Sequence, residues 1–242
     1  MALQINKMTS NHNKRIAIVG AGPIGLETAV AFQRRGCEVI VLDAGSIGHT
    51  MSWWAPQTRW FSSNERISIA GVPLLTIDQS KATREEYLTY LRGIATQFSI
   101  PVRTLTPVSV VTRSGDQFVL AVHPNSGREE VFADVVVLAV GGTDFPRKLN
   151  IPGEDLPNVD GYLREPHRYF GRRVLIIGGR ISAVEAALRL HHAGAKISLC
   201  YRQEALPEDG IKYWLRPEIK GLLSSGRIES YMGTRPLEIK PG

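Results

Sequence analysis

Two glycine-rich turns, Gly20-Ala21-Gly22-Pro23-Ile24-Gly25 and Gly178-Gly179-Arg180-Ile181-Ser182-Ala183, each join a short apolar run to a helical pattern. A strand that turns this tightly into a helix leaves few options for the following chain. The helix has to return it to a parallel strand beside the first. Ile16 to Val19 read as a buried parallel strand, Leu26 to Arg35 as a helix stopped by Gly36, and Glu38 to Leu42 as the next strand. Between strand and helix the spacing is G-x-G-x-x-G. Its glycines serve a tight turn, a close approach of backbone to a pyrophosphate, and close packing of helix on strand. The helix N-terminus adds unpaired N–H groups and the positive end of the dipole. Asp43 follows the second strand about twenty residues on, where a carboxylate accepts hydrogen bonds from the ribose hydroxyls of an adenosine.

The second turn repeats this plan with altered chemistry. Val174 to Ile177 form the strand, Ser182 to His192 the helix with Gly194 as its stop, and Lys196 to Cys200 the following strand. Tyr201 and Arg202 stand at its tip, where the first unit has Asp43. A carboxylate there would repel a 2′-phosphate, whereas a guanidinium pairs with it, which favours NADPH over NADH. Arg180 fills the second-glycine position, so its side chain either reaches a phosphate or blocks the turn.

Between the turns, Thr83 to Phe98 place Tyr87, Leu88, Leu91, Ala95 and Phe98 on one helical stripe. Pro101 to Leu105 read as a short strand. Val108 to Thr112, Gln117 to His123 and Glu129 to Val131 are short β-rich runs. The clusters Ser114-Gly115-Asp116 and Pro124-Asn125-Ser126-Gly127 separate them, the pattern of an antiparallel meander. Asp134 to Val140 read as a buried strand ending at Gly141-Gly142. Thr143 to Arg168, with Pro146, Pro152, Pro157 and Pro166, read as a linker. The expected fold class is α/β: two Rossmann-like βαβ units with parallel sheets, and a meander in the first. Residues 1–14 form a polar tail, 15–155 the first domain and 156–242 the second.

With 43% apolar and 21% charged residues, the 242-residue chain has the composition of a globular protein. Its net charge of +6 comes from dispersed basic residues with no Lys/Arg-rich block, so anionic dinucleotides account for it better than nucleic acid does. Cys37 and Cys200, the two cysteines, form no CxxC, and no apolar run approaches a membrane span. A reduced, cytoplasmic setting is expected. No metal site is expected either: His191 and His192 are adjacent, so their side chains diverge by roughly 100° and cannot share one metal face. His12 and His123 fall in the tail or near turns, and His49 lies close to the loop after Asp43. There is no GxSxG elbow, P-loop lysine or HExxH.

The order of these segments resembles the flavoproteins with two dinucleotide-binding domains, and most closely the YpdA family of bacillithiol-disulfide reductases related to thioredoxin reductase. The similar stretches are Gln57 to Ser63 (QTRWFSS), Ile69 to Pro73 (IAGVP), Leu138 to Gly142 (LAVGG), Ile151 to Glu154 (IPGE), Glu165 to Phe170 (EPHRYF), Ile176 to Ala183 (IIGGRISA) and Ile211 to Leu215 (IKYWL). The resemblance implies FAD on the first unit, at Gly20, Gly22, Pro23, Ile24, Gly25, Asp43, Ala139 and Gly141. It implies NADPH on the second, at Gly178, Gly179, Arg180, Ser182, Ala183 and Arg202. That family also carries a basic residue at the position of Arg180. Two departures matter. The family's reactive cysteine falls where this chain has Ile24, and isoleucine cannot attack a disulfide. Such flavoproteins also continue beyond the position of Gly242, so the chain reads as truncated before the segment that returns to the FAD domain.

Trp53, Trp54, Trp60 and Phe61 follow the FAD-ribose strand, and either wall the isoalloxazine or pack the core. Trp60 and Phe61, inside the family-like stretch, are the site candidates. Asp160 to His167 fail the F-x-G-x-x-x-H motif of Baeyer-Villiger monooxygenases, because Val159 precedes Asp160 and the histidine falls two positions late. The expectation is an NADPH-dependent FAD oxidoreductase that passes electrons to a small-molecule or small redox-protein acceptor. No residue stands out as catalytic, and a homodimer is left open. A dinucleotide-binding fragment without turnover is the alternative, and a flavin-dependent monooxygenase a further one.

Overall fold

The computed structural model describes residues 14–125, 127–143 and 146–241. Most of the expected polar tail, His12 and Ser126 lie outside that range. Two compact units, 1–144 and 145–242, divide the chain.

In the first unit, β1 (Arg15–Val19) runs parallel to both β2 (Glu38–Leu42) and β7 (Val135–Leu138), and β2 runs parallel to the short β3 (Val102–Arg103). The strand order β3-β2-β1-β7 is that of a Rossmann half-sheet. Both faces of this sheet are covered, which is why its strands read as continuous apolar runs. Ile16, Ile18, Val39, Val41, Val135 and Val137 face one core, built with α1 (Pro23–Gln33) and α4 (Arg84–Gln97). Ala17, Val19, Ile40, Leu42 and Val136 face another, with Leu120, Val122 and Ala133 from the meander. That meander is the antiparallel sheet β4 (Val108–Ser114), β5 (Gln117–Val122) and β6 (Glu129–Ala133). Each fully buried Ile, Val or Leu stabilises this arrangement by roughly 1.5–3 kcal/mol.

Local signals place the helices. α1 begins at Pro23, three residues before the apolar pattern, because proline at the first helical position gives up an N–H that has no partner there. Thr83 caps α4 with a reciprocal capping box: the Thr83 hydroxyl accepts from the Glu86 N–H at 3.2 Å, and the Glu86 carboxylate accepts from the Thr83 N–H at 2.8 Å. Two one-turn helices, α2 (His49–Ser52) and α3 (Asn64–Ile67), lie in the tryptophan-rich segment. They are too short to show helical periodicity in sequence.

In the second unit, β8 (Arg173–Ile177), β9 (Lys196–Tyr201) and β10 (Glu229–Met232) form a parallel sheet in the order β10-β9-β8. α5 (Ile181–His192) and α6 (Arg216–Ser224) pack on one face, where Val184, Leu188, Ile197, Leu199, Ile219 and Ile228 form the core. The proline-rich linker contains a 3-10 turn at Pro166–Tyr169. It packs within this unit: the Ile239 N–H donates to the Pro152 carbonyl at 2.8 Å, over Gly153, whose φ is +82°.

Thr83→Ala is expected to remove the α4 cap and destabilise the chain by about 0.5–2 kcal/mol in denaturant unfolding. An unchanged midpoint would show that α4 is held by its packing alone.

Candidate dinucleotide-binding turns

Each glycine of the first turn has a separate physical reason. Gly20 takes φ +110°, and a Cβ there would lie 2.3 Å from the Ala139 carbonyl oxygen at the tip of β7. A Cβ on Gly25 would lie 1.9 Å from the Gly20 carbonyl oxygen, so only glycine lets α1 sit this close to β1. Gly22 differs. Its backbone is extended, and a Cβ would meet nothing within 4 Å. It therefore borders open space at the start of α1, where no side chain caps the helix and no acidic residue occupies the first turn. That is the environment an anionic pyrophosphate requires. Pro23 is half-buried beside it, Ile24 is 68% exposed, and Gly141 beyond β7 has φ +72° with open space around it.

Asp43 is tied into the turn itself. Its carboxylate accepts from the Ala21 N–H at 2.6 Å and from the Gly45 N–H at 2.8 Å. Each carboxylate oxygen keeps a further lone pair, so both ribose hydroxyls can still be accepted. The Gly48 N–H donates to the Ala21 carbonyl at 3.0 Å, so the loop after Asp43 is fastened to the same turn. Sequence reasoning passed over Glu27 and Arg34. Glu27 lies on α1 and Arg34 caps its C-terminal end; the Glu27 carboxylate accepts from the Ala70 N–H and Arg34 donates to the Ala70 carbonyl at 2.8 Å. Their i, i+7 spacing was the available signal, but nothing in sequence names the distant loop they hold.

The second turn can be superimposed on the first by register. Val19 pairs with Leu42 and Ile177 with Cys200, so Tyr201 is the positional counterpart of Asp43, and Arg202 follows it. Gly178 has φ +149°, and its N–H donates to the Cys200 carbonyl at 2.9 Å, as that of Gly20 does to Leu42 at 2.7 Å. Where Asp43 bonds Ala21, the Tyr201 ring lies against Gly179: a Cβ there would come within 2.4 Å of the ring. Arg180 takes the helix-cap place that Gly22 takes in the first turn, with the same extended backbone, and is exposed. A Cβ at the equivalent Gly22 position would meet nothing within 4 Å. Ser182 and Arg202 are exposed, and Ala183 packs beneath Gly178. Glu185, one turn into α5, is a titratable group that motif reading passed over. Burial pushes its carboxyl above the ordinary range, an effect the Arg189 charge partly offsets.

Trp60 packs into the first unit's core, with its ring centroid 5.3 Å from that of Trp54 and 4.6 Å from that of Tyr87. Its indole N–H is buried and has no hydrogen-bond partner. Phe61 is half-buried, and its carbonyl accepts from Lys81 at 2.6 Å. Cys37 and Cys200 are both buried, one in each unit, and burial pushes the Cys200 thiol up. Among the described residues there is no cluster able to hold a metal ion, and no helix is long and apolar enough to cross a membrane.

Residues 17–240 match the family described as pyridine nucleotide-disulphide oxidoreductase. The chain belongs to that family. It is 32% identical over 222 residues to bacilliredoxin reductase Bdr of Bacillus subtilis, covering 91% of this chain and 66% of that one. It is 27% identical over 210 residues to a ferredoxin–NADP reductase of Ignicoccus hospitalis, covering 86% and 63%. The solved bacillithiol disulfide reductase Bdr (YpdA) of Bacillus cereus superposes with a TM-score of 0.90 at 33% identity, over 95% of this chain and 70% of that one. The Staphylococcus aureus enzyme superposes at 0.88 and 28%, over 95% and 69%. The chain thus spans about two thirds of the length of these family members.

Gly25→Ala should destabilise the chain by about 1–3 kcal/mol, because its methyl group would meet backbone. Gly22→Ala should leave stability within about 0.5 kcal/mol and lower only dinucleotide affinity. Equal thermal destabilisation of the two variants would contradict these separate roles.

Proposed function

We propose that the chain binds FAD on the Gly20 turn and NADPH on the Gly178 turn, as an NADPH-dependent flavoprotein oxidoreductase. The observation that carries this reading is the contrast at one register position. Two turns of matching geometry carry a carboxylate, Asp43, in one case and Tyr201 followed by Arg202 in the other. When bound, the two cofactors supply the hydride chemistry themselves. The residues supply the rest. Gly22 and the α1 N-terminus receive a pyrophosphate, and Asp43 receives a ribose. Arg180 and Arg202 offer guanidinium groups to phosphates, with Arg202 placed to prefer the 2′-phosphate.

The acceptor is a small molecule or a small redox protein that needs no thiol at position 24. Ile24 is exposed at the turn, and a side chain without a nucleophile cannot form a mixed disulfide. The relatives are named for two different acceptors, bacilliredoxin and ferredoxin, and the isoleucine argues against a thiol route at position 24 of this chain. The test is a visible spectrum of the purified chain, followed by NADPH oxidation with added FAD and an artificial one-electron acceptor. Bound flavin with turnover supports the reading, and a disulfide offered as sole acceptor should stay oxidised. The absence of both flavin uptake and turnover would refute it.

A second reading, dinucleotide binding without turnover, is favoured by the open edge of β7, where Leu138 and Val140 are 66% and 54% exposed. It predicts a melting shift with ADP or NADPH and no flavin uptake.

Arg202→Asp should weaken NADPH relative to NADH by about 1.5–3 kcal/mol, the worth of a hydrogen bond to a charged group. An unchanged ratio of the two affinities would remove Arg202 from the site.

A further inference from the structure

Between β9 and α6 the chain folds back toward the second turn. A Cβ built on Gly210 would lie 2.7 Å from Pro207 Cγ and 3.5 Å from Arg180 Cγ, so the segment 207–210 runs directly beside the stem of Arg180. One side chain holds that segment. Arg216, the first residue of α6, donates from Nε to the Ile211 carbonyl at 2.9 Å and from Nη2 to the Glu208 carbonyl. Its planar fork suits two acceptors at once, which the single point charge of a lysine does not. The segment also closes on α6 over a cavity of only about 20 Å³, lined by Leu206, Pro207, Ile211 and Ile219 among others. Ile211 and Ile219 are 5% and 1% exposed, so the Ile211 end of the clamp and the helix that carries Arg216 are anchored in the core, while Glu208 at the other end is exposed. On the side of the turn Gly210 neighbours Arg180, which is itself exposed.

We propose that Arg216 is a positioning residue for the second dinucleotide: by clamping residues 207–211 against Arg180 it restricts the rotamers open to that arginine and so favours its grip on a phosphate. This rests on the reading of the Gly178 turn as the NADPH site. A long exposed side chain loses rotamer freedom when it binds, and a wall that has already removed part of that freedom lowers the loss. Arg216 itself need not touch the nucleotide, since two of its donors are spent on carbonyl groups of the loop.

The test is a double-mutant cycle read by calorimetric titration of NADP+ into the full chain, without regard to turnover. Arg216→Gln should weaken NADP+ roughly three- to tenfold, the scale expected for one side chain that must be ordered on binding. In an Arg180→Ala background the same change should have no further effect, and Arg216→Lys should fall between parent and Arg216→Gln. FAD affinity should not move in any of these variants. Parent-like NADP+ affinity in Arg216→Gln, or an equal loss in the Arg180→Ala background, would overturn the clamp. Should Arg216→Gln fail to fold, Gly210→Ala displaces the same segment through its close contact with Pro207, while its 3.5 Å approach to Arg180 is ordinary van der Waals contact. It should show the same dependence on Arg180, and additivity there would overturn the proposal. A parent chain that binds no NADP+ would defeat the NADPH reading and the clamp together, whereas binding that ignores Arg216 defeats the clamp alone.

Discussion

Gly25 and the carbonyl of Gly20 meet across the first turn at a separation that no side chain would permit. The rest of the first unit depends on that contact. It brings α1 down onto β1, which lets Ile16 and Ile18 share a core with Leu26, Ala29 and Val30, and it leaves Gly22 facing open space at the helix N-terminus. The second turn differs, with Ala183 at the position of Gly25. There Gly178 lies over Ala183, and Gly179 accommodates the ring of Tyr201. A glycine-rich turn is therefore several distinct constraints, and each glycine answers to a different neighbour.

From this common scaffold the two turns separate in their electrostatics. Asp43 adds a negative charge beside the first turn and fixes its loop through two backbone N–H groups. The second turn has Tyr201 at that position and arginines at 180 and 202, a positive surround. The strand pairings make this a like-for-like comparison, because the same backbone bond, from the first glycine to the end of the second strand, is made in both.

Much of this was legible in the sequence because it is local. Apolar runs of four or five residues and the turn clusters of the meander act within a few residues and mark the strands directly; the proline at the start of α1 and the Thr83–Glu86 cap are equally local, but the apolar pattern alone places α1 three residues late. What escaped was tertiary. Nothing near Ala70 in sequence shows that Glu27 and Arg34 will hold it, and the clamp from Arg216 to Glu208 depends on how a loop folds back. The tryptophans show the limit from the other side. Composition cannot tell a flavin wall from a core, and the packing of Trp60 against Trp54 and Tyr87 depends on α4, which is distant in sequence. Its partnerless indole N–H is a buried donor of the kind that costs about 1–3 kcal/mol when left unsatisfied.

The central claim is that two turns of one design have been specialised for different dinucleotides. Sequential calorimetric titration tests it most directly, with FAD added to the chain until saturated and NADP+ then added to the same cell. One site for each ligand is expected, with neither displacing the other and with Asp43→Ala weakening only FAD. Competition of both ligands for a single site, or loss of NADP+ binding in Asp43→Ala, would contradict it.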